Sequence, residues 1–261
     1  MQATQRKWFS ITKRWWHKAT DLTSNAAAQF LQSCVICHDA ITEHNRSIHA
    51  QKICSLCWQC LPWIDQHCGT CGLPLAVGAI QCGVCANQRL SYERCFCPLR
   101  YDFPLDVLIR NFKDARQWPV KSALVDLLNS AHQELDFSQF GLIAAVPSHW
   151  RKRWQRGFNH SYELAVTLAK QHNIPLVTDF KRVKFGQDQR LLTRKERLKN
   201  LENTFFCKQD LSGQHVLLLD DVVTTGATIE SAAKALVAAG AKPPVVLAIA
   251  RTPARQKPTT R

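Results

Sequence analysis

One stretch of the sequence, residues 216–228 (VLLLDDVVTTGAT), constrains the fold more than any other. Its apolar residues run without polar alternation up to Asp220 and Asp221, which is typical of a central strand in a sheet covered on both faces. A Thr/Gly loop follows, and the alanine-rich segment 229–239 predicts a helix. The loop is therefore expected at the carboxyl end of a buried strand, where open α/β sheets bind their ligands.

The composition of this loop predicts a sugar phosphate as its ligand. Main-chain amides, threonine hydroxyls and a helix N-terminus would converge on one point that suits a phosphate, and Gly226 allows a close approach or a positive φ. Asp220 and Asp221 would repel a phosphate, so they indicate a ligand that also presents hydroxyls or a bound metal. The predicted phosphate-binding residues are Thr224, Thr225, Gly226, Ala227 and Thr228. The alternative is an ordinary strand–turn–helix in which the two acids cap the turn.

Over its whole length the run resembles the signature of type I phosphoribosyltransferases, which bind 5-phosphoribosyl 1-diphosphate together with Mg²⁺. Other phosphate-binding motifs are absent from the sequence. No Gly-x-Gly-x-x-Gly opens a helix and no Walker Gly-Lys-Ser/Thr occurs, so Rossmann and P-loop folds have little support.

Cysteine spacing predicts two structural zinc sites. Eight of the 12 cysteines form four Cys-x2-Cys pairs, namely Cys34/Cys37, Cys54/Cys57, Cys68/Cys71 and Cys82/Cys85. Two such pairs complete a closed tetrahedral zinc site, which stabilises a segment too small for a sufficient core. We assign the first two pairs to one site and the last two to another. Cys60 lies close enough to Cys57 to shift this pairing, Cys95 and Cys97 are spare ligand candidates, and Cys207 is expected to pack as a small apolar residue.

The net charge predicts the kind of partner, and the lack of membrane and export signals predicts the compartment. The net charge of +14 suggests a polyanionic partner or substrate, and the chain stays basic even if eight cysteines bind zinc as thiolates. No apolar run is long enough to span a membrane, and the N-terminus lacks the apolar region of a signal peptide. We therefore expect the protein in the cytoplasm, where cysteines serve as metal ligands rather than as disulfides.

Beyond the cysteine-rich part, predicted strands alternate with helices. Strands are expected at 142–146 and 244–250, helices at 105–113, 120–134 and 161–171, and residues 90–103 are predicted to be a connector. This order predicts βαβ units and a mainly parallel sheet flanked by helices. The fold class is therefore α/β, of the type I phosphoribosyltransferase-like kind, preceded by a small double zinc ribbon.

Two basic stretches are candidates for contact with a diphosphate. The loop after the strand at 142–146 carries Arg151, Lys152, Arg153 and Arg156. A parallel sheet brings neighbouring strand ends together, so these cations can face the Asp220–Thr228 pocket and stabilise a departing diphosphate. A solvated surface charge run is the alternative. The second stretch, 181–199, lacks periodicity and suits a mobile flap over the ligand.

Taken in order, these features resemble the ComF competence proteins, which join a double zinc ribbon to a phosphoribosyltransferase-like domain. The resemblance spans about residues 30–252. It rests on the cysteine pairs, Phe112-Lys113, Arg156-Gly-Phe-Asn159, Gln189, Arg197-x-x-Asn200, Phe205, Asp220–Thr228 and Ala250-Arg251. His160, Gly186 and Asp188 depart from the family pattern, which bears on the contacts of the flap. The expected organisation is a basic Trp-rich segment (1–30), the double zinc ribbon (31–92), the phosphoribosyltransferase-like domain (93–252) and a disordered basic tail (253–261).

The resemblance implies handling of single-stranded DNA imported into the cytoplasm during natural transformation, with a competence helicase or uptake-channel proteins as partners. It also implies a phosphoribosyl diphosphate and Mg²⁺ pocket, with Asp220 and Asp221 on the ribose, Thr224–Thr228 on the 5-phosphate, and Arg151, Lys152 and Arg156 on the diphosphate. Candidate base-stacking side chains are Trp58, Trp63, Trp150, Trp154 and Phe158. Packing within a core is the alternative for each of them, and segment 1–30 could pack on its own domain or contact a membrane or nucleic acid.

Two other functions stay open at this level. The chain could be a salvage phosphoribosyltransferase whose zinc ribbon is only scaffold, although no base-reading pattern is recognisable. It could also be an interaction module with a vestigial pocket, but the intact Asp-Asp and Thr-Thr-Gly argue against that interpretation.

Overall fold

The computed structural model describes residues 33–115, 118–133, 135–148, 158–183 and 204–253. Several sequence-based predictions fall elsewhere in the chain. The N-terminal segment 1–30, the basic loop with Arg151, Lys152, Arg153 and Arg156, residues 184–199 of the second basic stretch, and the tail from residue 254 all lie outside the described residues.

A five-stranded parallel sheet forms the centre of the fold. The described residues contain two sheets, and their strands are β1 (Arg94–Phe96), β2 (Leu99–Arg100), β3 (Leu142–Ala145), β4 (Phe180–Arg182), β5 (Phe205–Cys207), β6 (Val216–Val223) and β7 (Val245–Arg251). The order in the main sheet is β1-β7-β6-β3, and β2 pairs with β7 beyond β1. Strands β4 and β5 form a separate antiparallel pair. The α/β fold with a mainly parallel sheet is therefore confirmed.

Strand β6 is buried on both faces, as its unbroken apolar run predicts. Leu217 and Leu219 belong to one hydrophobic core, whereas Val216 and Leu218 belong to a second core on the other face. All four side chains are fully buried. Successive side chains of a strand point to opposite faces, so one continuous apolar run supplies both cores at once.

Helices cover both faces of the sheet. The α-helices of the described residues are α1 (Ser55–Gln59) and α2 (Gly83–Asn87) in the cysteine-rich part, followed by α3 (Leu105–Ala115), α4 (Trp118–Asn129), α5 (His160–His172) and α6 (Ala227–Ala238). Helices α3, α4 and α5 contribute leucines such as Leu108, Leu124 and Leu164 to the core that contains Leu217. Helix α6 supplies Ile229 and Leu236 to the opposite core. No helix in these ranges is both long enough and apolar enough to cross a membrane.

The prediction that residues 90–103 form a connector is wrong. Residues 94–96 and 99–100 are β1 and β2, which pair in parallel with β7 and form one interrupted edge strand. Pro98 stands at the interruption, where its missing N–H cannot join the hydrogen-bonded ladder. The apolar run on each side of it is too short to signal a strand. Lys181 and Arg182, predicted as the start of a flap, also lie in a strand, since β4 pairs with β5.

The cysteine-rich unit packs directly against the sheet. The carbonyl of Pro62 accepts a hydrogen bond from the Arg100 amide at 2.8 Å, and the carbonyl of Pro98 accepts one from the Ile64 amide at 3.0 Å. Ile53 and Leu61 of this unit join the same hydrophobic core as the sheet. The apolar core therefore continues across the boundary that composition places near residue 92.

Candidate functional site

The turn after β6 lies at the carboxyl edge of the parallel sheet and leads straight into α6. Gly226 caps the helix with φ 82° and ψ −10°, a left-handed conformation that favours glycine. A Cβ at this position would meet no atom within 4 Å, so the conformation rather than a lack of space calls for glycine. Thr224, Thr225 and Thr228 are exposed. The start of α6 is thus accessible from solvent, with the Ala227 amide donating a hydrogen bond of 3.4 Å to Thr225 Oγ1.

The two acids of β6 differ in environment. Asp220 is buried, and its Oδ1 accepts hydrogen bonds from Ser161 Oγ at 2.8 Å and from the Asp221 amide at 2.9 Å. Burial and then the charge of Asp221 raise the pKa of Asp220 to about 7. Asp221 is partly exposed, and its Oδ2 lies 2.5 Å from Lys113 Nζ. The pair therefore offers one carboxylate neutralised by a lysine and one that titrates near neutral pH.

Sequence reasoning did not assign roles to Lys113 and Ser161. Lys113 comes from the last turns of α3 and Ser161 from the first turn of α5, so each reaches the acids by packing of a different helix. The Phe112-Lys113 pair carried part of the family resemblance, but nothing in its spacing pointed to Asp221. A serine at a helix start gives a still weaker signal, because such serines commonly cap helices.

His160, the first residue of α5, contacts the end of α3. Its Nε2 lies 3.2 Å from the carbonyl oxygen of Lys113, and its ring lies 5.5 Å from that of Phe112 and 4.5 Å from that of Phe158. Phe158 is half-buried and packs within this aromatic cluster.

The basic loop starts beside the acids. Strand β3 pairs with β6 so that Ala145 lies opposite Leu219, and the Val146 amide donates to the Leu219 carbonyl at 2.9 Å. Asn159, where the chain enters α5, donates a side-chain hydrogen bond to the Val146 carbonyl at 3.1 Å. Both ends of the loop are therefore fixed close to the carboxyl end of β3, next to β6.

Eight cysteines form two groups that could each hold a metal ion. Cys34, Cys37, Cys54 and Cys57 form the first cluster, and Cys68, Cys71, Cys82 and Cys85 form the second cluster, with the Sγ atoms of each cluster within 4.8 Å of one another. A zinc ion bound at about 2.3 Å sets neighbouring sulfur atoms about 3.8 Å apart in a tetrahedron.

The sulfur separations fit that geometry. The Sγ atoms of Cys37 and Cys54 are 3.9 Å apart, and those of Cys71 and Cys82 are 3.7 Å apart. Cys60 belongs to neither cluster. Buried Cys95 and Cys97 also stay outside both clusters, with their Sγ atoms 3.6 Å apart.

An aromatic cavity of about 420 Å³ lies where the cysteine-rich unit meets Phe96 and Pro98 of the edge strand and Asn129 at the end of α4. Trp58 and Trp63 line it together with His49 and His67. The ring centroids of the two tryptophans are 4.9 Å apart, and His49 stacks on Trp58 at 5.3 Å. Both tryptophans are half-buried and pack against the hydrophobic core, so part of each side chain remains accessible to solvent. Trp150 and Trp154, the other tryptophans considered for stacking, lie outside the described residues.

Known proteins are similar to this chain in sequence. The family model "Phosphoribosyl transferase domain" matches residues 159–259. A "DNA utilization protein YhgH" from Salmonella typhimurium is 32% identical over 207 residues, which cover 77% of this chain and 90% of that protein. "Competence protein F" from Haemophilus influenzae is 33% identical over 215 residues, covering 79% of this chain and 93% of that protein.

A more distant relative, "Competence protein ComFC" from Bacillus subtilis, is 26% identical over 200 residues, or 73% of this chain and 80% of that protein. The identity and coverage of the first two relatives, the phosphoribosyl transferase domain and the two cysteine clusters agree with one another. The chain belongs to the ComF family of competence proteins, with cysteine clusters that fit a double zinc ribbon and a phosphoribosyltransferase-type domain.

Proposed function

We propose that the protein acts in natural transformation, where it handles imported single-stranded DNA in the cytoplasm and binds phosphoribosyl diphosphate with Mg²⁺. The observation that carries the proposal is the pair of acids beside an open Thr/Gly turn at the N-terminus of α6. The names of the relatives supply the biological setting. By the same family membership, a competence helicase or uptake-channel proteins are the partners to test first.

In this proposal the turn holds the 5-phosphate. The amides and hydroxyls of Thr224–Thr228 donate to its oxygens, and the N-terminus of α6 favours its negative charge. Asp220 and Asp221 accept hydrogen bonds from the ribose hydroxyls. When bound, Mg²⁺ would neutralise the diphosphate and stabilise its departure. Arg151, Lys152 and Arg156 would face the diphosphate, because their loop leaves the sheet beside β6.

Single-stranded DNA would use a different surface of the same chain. Proteins of this kind combine cations that follow the phosphate backbone with aromatic rings on which bases stack. The net charge of +14 favours the first contact, and the cavity lined by Trp58 and Trp63 offers rings for the second. Zinc in the first cluster would serve as scaffold that holds these rings in place.

A second candidate function is phosphoribosyl transfer to a base. The intact acids and the match to a phosphoribosyl transferase domain favour it. Diphosphate release in the presence of a panel of nucleobases separates the two functions. Release above background identifies a transferase, whereas binding of phosphoribosyl diphosphate without release supports a binding role.

Replacing both acids should abolish sugar-phosphate binding. The double variant Asp220→Asn plus Asp221→Asn removes two charged acceptors, so affinity for phosphoribosyl diphosphate with Mg²⁺ should fall about 100-fold or more in calorimetry. The fold should survive, because the amide oxygen introduced at position 220 can still accept the hydrogen bond from Ser161. The matched control is Asp65→Asn, an exposed acid in the cysteine-rich unit. An unchanged dissociation constant in the double variant would refute the role of the acids.

Binding should also depend on pH through Asp220. Its carboxyl has a pKa of about 7, raised by burial and by the charge of Asp221, and ribose hydroxyls and Mg²⁺ favour the charged form. A proton must therefore leave on binding below that pH, and affinity should rise by about tenfold per pH unit there and level off above it. Asp220→Asn provides the reference, since its profile retains only the titration of the ligand. Identical profiles for the two proteins would contradict the prediction.

The cysteine clusters predict a defined zinc content. Cys68→Ser plus Cys71→Ser should release one of two zinc equivalents, measured by elemental analysis, and should lower the melting temperature, because a structural site contributes folding free energy. Cys60→Ser is the matched control and should keep both metals. Loss of zinc from the control, or retention of both ions by the double variant, would show that the ligand sets are different.

The aromatic cavity predicts weaker DNA binding after truncation of its rings. Stacking is worth about 1–3 kcal/mol per base, so Trp58→Ala or Trp63→Ala should weaken binding of fluorescent single-stranded DNA by about 5-fold to 150-fold in anisotropy. Phe206→Ala removes an exposed ring on β5 and should have little effect. Wild-type affinity should fall as salt rises. Absence of binding at low salt, or equal loss in all three variants, would exclude the cavity as the DNA site.

A further inference from the structure

Arg251, the last residue of β7, connects the second cluster with the phosphate turn. The residue is only 5% exposed. Its Nε donates to the carbonyl oxygen of Cys71 at 3.1 Å. Its Nη1 donates to the carbonyl oxygens of Val223, at 3.0 Å, and Thr224, and lies 3.4 Å from that of Thr252. One rigid guanidinium thus spans a cysteine of the second cluster and the first residues of the turn.

These hydrogen bonds orient the amides of the turn. A trans peptide is planar, and its N–H points opposite to its C=O. Since Arg251 holds the carbonyls of Val223 and Thr224 towards itself, the amides of Thr224 and Thr225 point away from its guanidinium. Arginine suits this task because its planar fork donates in several fixed directions at once. Loss of the Arg251 side chain would free the Thr224 carbonyl to turn, whereas the Val223 carbonyl would keep its hydrogen bond from the Thr252 amide at 3.0 Å.

The buried positive charge of Arg251 also indicates an electrostatic interaction with the second cluster. Within the described ranges the guanidinium donates only to main-chain carbonyls, which carry no formal charge. A buried cation is costly unless a negative charge lies close by. Four thiolates and one Zn²⁺ leave a net negative charge, so a metal-loaded second cluster supplies that counter-charge.

The turn of the second cluster that contains Cys71 packs tightly against the sheet. Gly72, next to Cys71, has φ +67°, and a Cβ there would come within 2.8 Å of the Cys95 carbonyl oxygen on β1. The turn that carries Cys71 therefore lies directly on the edge strand of the sheet. A shift of that turn must move the Cys71 carbonyl relative to Arg251.

The first cluster makes different contacts. Its neighbour Gln51 donates a main-chain hydrogen bond to Asp126 of α4 at 3.1 Å, and Trp63 forms a bridge with Leu99. Neither contact reaches the turn after β6. The two clusters therefore differ in their connection to the candidate phosphate site.

We propose that the second cluster sets the conformation of the phosphate turn through Arg251, so that metal binding at this cluster and sugar-phosphate binding at the turn strengthen each other. This inference rests on the proposed function of the turn. It makes Arg251 a positioning residue, since its side chain acts through the main chain of Val223 and Thr224. Coupling between two binding sites is reciprocal, so either ligand should report on the other.

The full-length zinc-loaded protein provides a site-resolved test. It is exposed to a zinc-selective chelator and an alkylating reagent, with and without phosphoribosyl diphosphate and Mg²⁺, and alkylation of each cysteine is followed by peptide mass spectrometry. The ligand should slow alkylation of the second cluster by about fivefold or more, within the usual range of coupling. Alkylation of the first cluster should change by less than about twofold, well below that range.

Variants separate coupling from a general structural effect. Arg251→Met should remove the selective protection and weaken phosphoribosyl diphosphate binding by about tenfold, within the same range of coupling. Arg251→Lys keeps the charge but not the fork of donors, and it should also lose most of the protection. This variant therefore tests the contact even if Arg251→Met fails to fold. Arg100→Met is the matched control, because this exposed arginine lies beside Arg251 on the neighbouring strand.

The outcomes distinguish the two proposals. A wild-type protein that shows no binding of phosphoribosyl diphosphate overturns the proposed function and this inference with it. A wild-type protein that binds the ligand but protects both clusters equally, or neither, overturns the inference alone. Selective protection that persists in Arg251→Met removes Arg251 from the coupling, and protection that persists in Arg251→Lys shows that the fork of hydrogen bonds is not what couples the two sites.

Discussion

Burial of β6 on both faces is the constraint on which the rest of the structure depends. Four consecutive residues, 216–219, divide between two hydrophobic cores, and each large apolar side chain contributes about 1.5–3 kcal/mol by leaving water. The strand is therefore held firmly in the middle of the sheet. Polar residues begin where the sheet ends, so Asp220, Asp221 and the turn emerge at a fixed place on the carboxyl edge.

This position brings opposed electrostatic effects together at one edge. Burial raises the pKa of Asp220, while Lys113 neutralises the partly exposed neighbour Asp221. The N-terminus of α6 adds partial positive charge a few residues away. Asp221 can release its contact with Lys113, and Asp220 can release a proton, when a ligand and its metal ion bind. The proposed binding of a sugar diphosphate uses each of these features without requiring a rearrangement of the sheet.

Local pattern and spacing were enough to predict the elements that carry the site. A long apolar run identified β6, and a threonine-rich turn followed by alanines identified the start of α6. Tertiary contacts were harder to foresee. Lys113 and Ser161 reach the acids from two separate helices, and the edge strand formed by β1 and β2 is split at Pro98. Arg251 stood out only as part of a family motif, because its partners are main-chain atoms distant along the chain.

The contacts of Arg251 connect the cysteine-rich unit with the candidate site. Small metal-bound units commonly serve as independent scaffolds. Here one hydrophobic core extends from the first cluster into the sheet, and the second cluster touches the turn through a buried cation. The two clusters therefore support different parts of the molecule, the first beside the aromatic cavity and the second beside the phosphate turn.

The most direct test of sugar-phosphate binding at the turn is a crystal structure of the protein with phosphoribosyl diphosphate and Mg²⁺. We expect electron density for the 5-phosphate within hydrogen-bond distance, about 3 Å, of the amides of Thr224–Thr228. We also expect the ribose hydroxyls on Asp220 and Asp221. A ligand bound elsewhere, with the turn empty and Asp221 still paired with Lys113, would contradict this binding mode.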